Sequence, residues 1–297
     1  MSKSQLSAYF FIAPFMIIFV IFMGYPVFYS FYLSFHQVVD YYDMFGGMKF
    51  VGFAHYIKLM GDSQFWWSIL MTLYYAALFI PLNIAASFFL AVLLHNKLRG
   101  SRFFRTAYFM PNVLDTLVVG VIWIFIYLPN GPLDHILSAI GITNFSSTGF
   151  LGNPLSAMPA VVFAMVLKSA GFGMILFLAA IQNIPKSVYE AADIDGASPW
   201  QKVVQITFPL VKPIVLFLSV IGAITALNAF AEIYAMTSGG PYQSVGSQAL
   251  GVTNLSGYYL YRTFESARYG YAAAISYVLL IITLVISTIN MKFLSEK

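Results

Sequence analysis

The sequence predicts an all-α polytopic membrane protein with six transmembrane helices. Three observations predict it. Of the 297 residues, 60% are hydrophobic and only 9% are charged, a composition unlike that of a soluble domain. The apolar residues gather in six runs of about 20 or more, enough at 1.5 Å per residue to cross the hydrocarbon core of a bilayer. Those runs are continuous rather than alternating, which excludes a spanning β-barrel.

Taken in order, the first run covers roughly 9–34 and carries Pro14 and Pro26 as bends. It follows Lys3, is too long for a cleavable signal peptide and has no small-residue cleavage site, so it reads as a retained helix. The second run covers roughly 67–94 and the third roughly 106–128, with Pro111 near its start. The fourth spans roughly 157–181, the fifth 213–236 and the sixth 268–291. This gives an N-terminal helix and outer loop at 1–66, a helical core at 67–291 with a polar loop at 184–213, and a short tail at 292–297.

Lysine and arginine set the orientation. Lys3, Lys97, Arg99, Arg102, Arg105, Lys186, Lys202, Lys212, Lys292 and Lys297 fall on one side, and Lys49, Lys58, Arg262 and Arg268 on the other. The richer side is cytoplasmic, which puts both termini and the polar loop in the cytoplasm. The net charge of +4 reflects this bias, and no nucleic-acid partner is implied. With no cysteine in the chain, disulfides and thiolate metal sites are excluded. The four histidines, His36, His55, His95 and His135, lie on separate loops and ends without metal-ligand spacing. No Gly-x-x-x-x-Gly-Lys-Ser/Thr loop occurs, so this chain carries no ATP site of the usual kind, and no Ser/His/Asp set points to catalysis.

The stretch from Ile184 to Pro213 concentrates polar residues that spanning does not need: Lys186, Glu190, Asp193, Asp195, Lys202 and Lys212. Pro185 suits the start of a helix, Lys186–Ile194 favours helix, and Asp195-Gly196 is a turn signal. Ser198 followed by Pro199 is an N-cap and first-turn proline, opening a second helix over Trp200–Phe208 that stops before Pro209. Two short helices joined at Gly196 form a docking element for a partner outside the bilayer.

Glu190-Ala191-Ala192, then Asp193, Asp195-Gly196-Ala197, Ile206 and Pro209, resembles the EAA motif of ABC importer permeases. The resemblance implies the type I ABC importer transmembrane domain. It also implies that Glu190, Ala191, Ala192, Asp193, Asp195, Gly196 and Ala197 belong to a coupling element seated in a cleft of a cytoplasmic ATPase, with Glu190 meeting a basic residue there. ATP and Mg would then sit on that ATPase, with no cofactor in this chain. Thr237-Ser238-Gly239-Gly240-Pro241 and the later Tyr269-Gly270-Tyr271-Ala272-Ala273-Ala274 are similar to the segment before the last helix in carbohydrate-uptake permeases. Pro14, Tyr25-Pro26, Ser34-Phe35, Gly100, Arg105 and Pro111 fit the same group, so the resemblance covers about 9–291. It implies a second permease subunit, two ATPase subunits, an extracytoplasmic solute-binding protein and a carbohydrate substrate, in the cytoplasmic membrane of a prokaryote. Gln243–Ser256 departs from the pattern by its many small polar residues.

Ionisable residues inside spans are costly and point to function. Asp115 and Lys168 lie at similar depth by helical rise and are expected to form a buried pair. Glu232 falls near the outer end of the fifth span, with Asn228 four residues earlier on the same helical face. An uncharged sugar needs hydrogen-bonding groups and a flat apolar surface, and Asn228, Glu232 and Tyr234 supply both. An EAA-type permease for another solute, such as a polyamine or phosphate ester, is the alternative. A secondary transporter leaves the Ile184–Pro213 loop without a purpose, and a structural scaffold leaves the charged mid-span residues without one.

Overall fold

The computed structural model describes residues 3–39, 47–95, 100–142 and 147–295. Lys97, Arg99 and Lys297, three of the cations counted for orientation, lie outside the described residues. The chain divides into two compact units, Met1–Ser63 with Leu260–Ile281, and Gln64–Tyr259 with Ile282–Lys297.

The first unit opens with α1 (Lys3–Phe19), a π-helical turn at Val20–Gly24, and α2 (Tyr25–Leu33). Together they give the apolar span Phe10–Leu33, whose hydrophobic window has no buried residue. The wider π turn sits just before Pro26, whose ring supplies no N–H to the i−4 carbonyl. Strands β1 (His36–Val38) and β2 (Met48–Phe50) then pair antiparallel, with Gln37 opposite Lys49, and α3 (Ala54–Met60) follows.

In the second unit α4 (Ser63–His95) is the longest element, at 33 residues. The third apolar run is not one helix. It is split into α5 (Ser101–Val113) and α6 (Thr116–Tyr127), because Asp115 leaves the helical region and caps α6, accepting the Leu117 amide hydrogen at 2.8 Å. Short helices α7 (Pro132–Ala139) and α8 (Gly149–Gly152) lead to α9 (Ala157–Gln182). α9 is the centre of the unit. Its Met158, Val161, Val162 and Met165 pack with Tyr75, Phe79, Ala226 and Ile233 in one cluster. Nearer its C-terminus Met174, Phe177, Leu178 and Ile181 pack with Ala91, Leu94, Val211 and Leu218 in another. Small residues permit the close approaches that drive helix association in lipid. A Cβ on Gly173 would collide with the Ser87 hydroxyl, and one on Gly222 would come within 2.9 Å of Ile80. Ser87 uses the proximity to donate its hydroxyl to the Ala170 carbonyl at 3.0 Å.

After α9 come α10 (Lys186–Ile194), α11 (Pro199–Gln201), a π segment at Lys202–Thr207, α12 (Phe208–Leu210) and α13 (Lys212–Leu227). α11 and its continuation meet α13 at 64°. The helix was expected to stop before Pro209, but it runs on to Leu210 through the π segment. There the proline's lack of an N–H matters less, because the i−4 ladder is already interrupted, and Thr207 returns its hydroxyl to the Lys202 carbonyl at 3.2 Å.

The fifth apolar run is broken as well. α13 ends at Leu227, and α14 (Ala231–Met236) starts afresh after Asn228, Ala229 and Phe230. A hairpin of β3 (Tyr242–Val245) and β4 (Gln248–Gly251), then α15 (Ser256–Glu265) and α16 (Tyr269–Ser295), complete the chain. Five described helical stretches are apolar and long enough to span a bilayer, and the bent pair around Val211 makes a sixth. The expectation of six is met when that pair, Pro199–Leu210 with Lys212–Leu227, is counted as one bent span in place of 213–236, and the third span lies at Thr116–Ala139 instead of the expected 106–128.

Candidate functional site

The polar loop folds as a rigid hairpin. α10 ends in a left-handed Gly196 (φ +75°), with the Ala197 amide bonded to the Ala192 carbonyl at 2.9 Å and the Gly196 amide to Asp193 at 3.1 Å. That double closure needs a residue without a Cβ at 196, which is why Asp195-Gly196 reads as a stop. Ser198 opens α11 with a capping box, its hydroxyl accepting the Gln201 amide hydrogen at 3.3 Å while Gln201 accepts the Ser198 amide hydrogen at 2.7 Å. Lys202 pairs with Asp193, and the Tyr189 and Thr207 hydroxyls bond at 2.9 Å, so side-chain contacts tie the two arms together.

The hairpin has an inside and an outside. Ala192 is buried, and Glu190, Ala191, Asp193, Asp195 and Gly196 are exposed, with Ala197 between. Ile194 and Trp200 are 87% and 74% exposed on the same element, apolar groups turned away from the chain's own core. Their exposure is legible only from the structure, because in the sequence both look like ordinary helix-face residues. Glu190 makes no side-chain bond among the described residues.

A second cluster surrounds the break after α13. Of the three residues in the break, Ala229 is buried, Phe230 half-buried and Asn228 exposed, and the freed backbone groups find partners on neighbouring segments. Thr72 on α4 donates its hydroxyl to the Ser256 Oγ at 3.0 Å and accepts the Ser256 amide hydrogen at 2.8 Å, and Ser256 donates to the Leu227 carbonyl at 3.2 Å. A Cβ on Gly257 would come within 2.6 Å of the Ala229 carbonyl, so glycine is what lets these segments close on each other. Trp67 donates its indole hydrogen to the Gly251 carbonyl at 2.9 Å and holds the β3–β4 hairpin to α4.

Glu232 lies in the first turn of α14 and is 7% exposed. The carboxylate accepts the hydroxyl hydrogen of Tyr75 at 3.2 Å and sits at a helix N-terminus, where partial positive charge favours it. Tyr75 is fully buried and stacks on Phe79, with ring centroids 5.5 Å apart. Lys168 is half-buried on α9. Nothing in the sequence singles out Tyr75 among 20 tyrosines.

Two geometric expectations are corrected here. Asn228 and Glu232 do not share a helical face, because α13 stops between them. Asn228 is exposed and donates its amide to the Ile224 carbonyl at 2.8 Å, closing α13, whereas Glu232 belongs to the next helix. Asp115 and Lys168 do not form a buried pair, since Asp115 is exposed and its carboxylate is committed to the α6 cap. Tyr234 is 45% exposed, with its ring 5.4 Å from Phe230. Among the described residues no group of three or more His, Cys, Asp or Glu is placed to hold a metal ion.

The comparisons with known proteins converge. A family described as "Binding-protein-dependent transport system inner membrane component" matches residues 83–294. The lactose transport system permease protein LacF of Rhizobium radiobacter is 33% identical over 296 residues, covering 96% of this chain and 95% of its own. The sn-glycerol-3-phosphate transport system permease protein UgpA of Yersinia pestis is 34% identical over 259 residues, with 86% and 84% covered. In a solved structure of a bacterial alginate ABC transporter in complex with an alginate pentasaccharide-bound periplasmic protein, one chain matches with a TM-score of 0.79 at 25% identity, covering 97% of this chain and 93% of that one.

Proposed function

We propose a function from one premise: this chain belongs to the family of binding-protein-dependent transport system inner membrane components. It is a multi-pass permease subunit of an ATP-binding-cassette importer, and its solute is a carbohydrate. The observation that carries the mechanism is the hairpin of α10 and α11, braced internally and presenting Glu190, Ile194 and Trp200 outward.

In this reading the hairpin faces the cytoplasm, as do both termini, in keeping with the lysine and arginine bias. It seats in a cleft of an ATPase subunit through Glu190, Ala191, Ala192, Asp193, Asp195, Gly196 and Ala197. ATP and Mg bind on a pair of such ATPases, which also serve a second permease subunit. Closure of the pair on ATP pushes the hairpin. The π segment and the 64° bend at Val211 carry that push into α13 and the break above it. A solute-binding protein delivers the sugar outside, the helices turn from inward-facing to outward-facing, and hydrolysis resets them. No covalent change to the solute is involved.

The sugar path runs past the break. Glu232 accepts hydrogen bonds there, Asn228 and Tyr234 are exposed beside it, Lys168 supplies a cation, and Asp115 lies at the α5–α6 break. Replacing Glu232 with Ala also orphans the buried Tyr75 hydroxyl, at about 1–3 kcal/mol. We therefore expect Glu232→Ala to lose substrate affinity and some stability, and Tyr75→Phe, which leaves the buried Glu232 carboxylate without that donor, to lose stability as well. Uptake assays with a concentration series and a melting curve separate the two, and unchanged affinity in Glu232→Ala and Asn228→Ala together removes this cluster from the path. Lys168→Met should impair uptake while the transporter still assembles in the membrane, and wild-type uptake excludes Lys168.

Reconstitution in proteoliposomes with the ATPase and solute-binding protein tests the whole reading, because import of sugar without a nucleotide-hydrolysing subunit would overturn it. A phosphorylated polyol is the second reading, favoured by the similarity to a glycerol-phosphate permease. A binding screen on the partner solute-binding protein chooses between them.

A further inference from the structure

The first unit holds a pocket that the transport cycle does not use. Its volume is about 280 Å³, and β1, α3 and the start of α16 wall it. In the topology above these segments are extracytoplasmic. Two cations converge on its wall. Lys58 Nζ stands 5.1 Å from the centroid of the Tyr271 ring, and the Arg268 guanidinium carbon stands 5.9 Å from the same centroid. Neither forms an ion pair among the described residues. The nearby carboxylate of Asp62 accepts the Tyr271 hydroxyl hydrogen at 2.6 Å, at the far end of the ring.

The electrostatics of this arrangement are one-sided. Both cations are exposed, and the ring favours each at its face by only about 0.5–1 kcal/mol. Standing 5.1 and 5.9 Å from one centroid, the two exposed like charges are at most about 11 Å apart, comparable with the ~10 Å screening length of 0.1 M salt, so part of their repulsion persists. The pocket's third wall is the first turn of α16, a 27-residue helix whose N-terminal end carries partial positive charge. Gly270 brings that turn in close, since a Cβ there would collide with the His36 carbonyl and approach His55 Nε2 at 2.9 Å. Lys58 on α3, Arg268 and the α16 N-terminus thus favour negative charge, and an oxyanion held by Lys58 and Arg268 would relieve the repulsion while using the planar donor fork of arginine.

We infer that this pocket is an oxyanion site, taking one phosphate or carboxylate group, from a free solute or a lipid headgroup, between Lys58 and Arg268. The test uses the full chain in nanodiscs. In one arm the lipid is phosphatidylcholine, the probe is inorganic phosphate, and binding is followed by phosphorus NMR. In the other, phosphatidylglycerol is included and its retention is counted by native mass spectrometry. Whichever arm reports the ligand, Lys58→Gln and Arg268→Gln should each weaken it about tenfold or more, Lys58→Arg should keep it within about threefold, and Lys49→Gln on the neighbouring strand should leave it unchanged. A free anion registers in the first arm and a headgroup in the second. If neither arm responds to Lys58 or Arg268, or Lys49→Gln weakens binding as much as they do, the assignment is wrong.

Discussion

Reversing the charge at Glu190 should leave ATP hydrolysis running while sugar import stops. The Glu190 side chain is exposed on α10 and bonds to nothing among the described residues, so Glu190→Lys costs the fold little. Surface substitutions of this kind usually stay within about 0.5 kcal/mol. In the proposed function the price falls on the junction with the ATPase. Losing one partner of a desolvated interfacial pair costs about 2–5 kcal/mol, and the new lysine adds repulsion against a basic residue. At 1.4 kcal/mol per tenfold, uptake should fall by at least about 30-fold. Asp193 provides the comparison. It pairs with Lys202 within the hairpin and is 64% exposed, so Asp193→Ala should lose at most about 1 kcal/mol and leave most transport intact. The measurement is labelled-sugar uptake and phosphate release from the same proteoliposomes. Glu190→Lys importing within twofold of wild type would remove Glu190 from the junction.

The fold of the polar hairpin was legible because its signals are local. Pro185, Gly196, Ser198 and Pro199 each impose a backbone state that needs no knowledge of distant residues, and all four act where the sequence predicts. The span count was legible for the same reason, since hydropathy is a property of each run. What the sequence hid depends on contacts between runs. The breaks at Asp115 and Asn228 look like ordinary mid-span polar residues when a span is read as one rod. Asp115 could have been read as an N-cap, because an aspartate followed by Thr116 and an apolar run is a helix-start pattern. The break after Leu227 had no such signal. It is stable because Thr72, 184 residues from Ser256, satisfies the freed backbone, and a pair so far apart leaves no periodic trace. The Tyr75–Glu232 bond was hidden in the same way, with 157 residues between its partners.

Gly171 supports a prediction of comparable size, acting through packing instead of charge. α5 runs against α9 so closely that a Cβ on Gly171 would fall on the Tyr108 carbonyl and 2.8 Å from the Phe109 Cα. These are backbone atoms, so no side-chain rotation relieves the clash, and α5 must move away from α9. Overpacking of this kind costs about 1–3 kcal/mol, sometimes more. For a chain of this size that is a fall of about 3–10 °C in the unfolding midpoint of Gly171→Ala. Gly24→Ala makes the same chemical change in a helix where the nearest atoms would be 3.9 Å away and φ is −59°. There the lost backbone freedom of glycine should stabilise by up to about 1 kcal/mol. Opposite shifts in the two variants, read by thermal unfolding in detergent, would show that the α5–α9 contact is set by backbone approach. In the proposed cycle transport should follow the first variant only, because α5 leads directly into Asp115 and the start of α6. Equal midpoints in the two alanine variants would mean that α5 yields without cost, and the close packing of α9 would then have no bearing on how the helices turn.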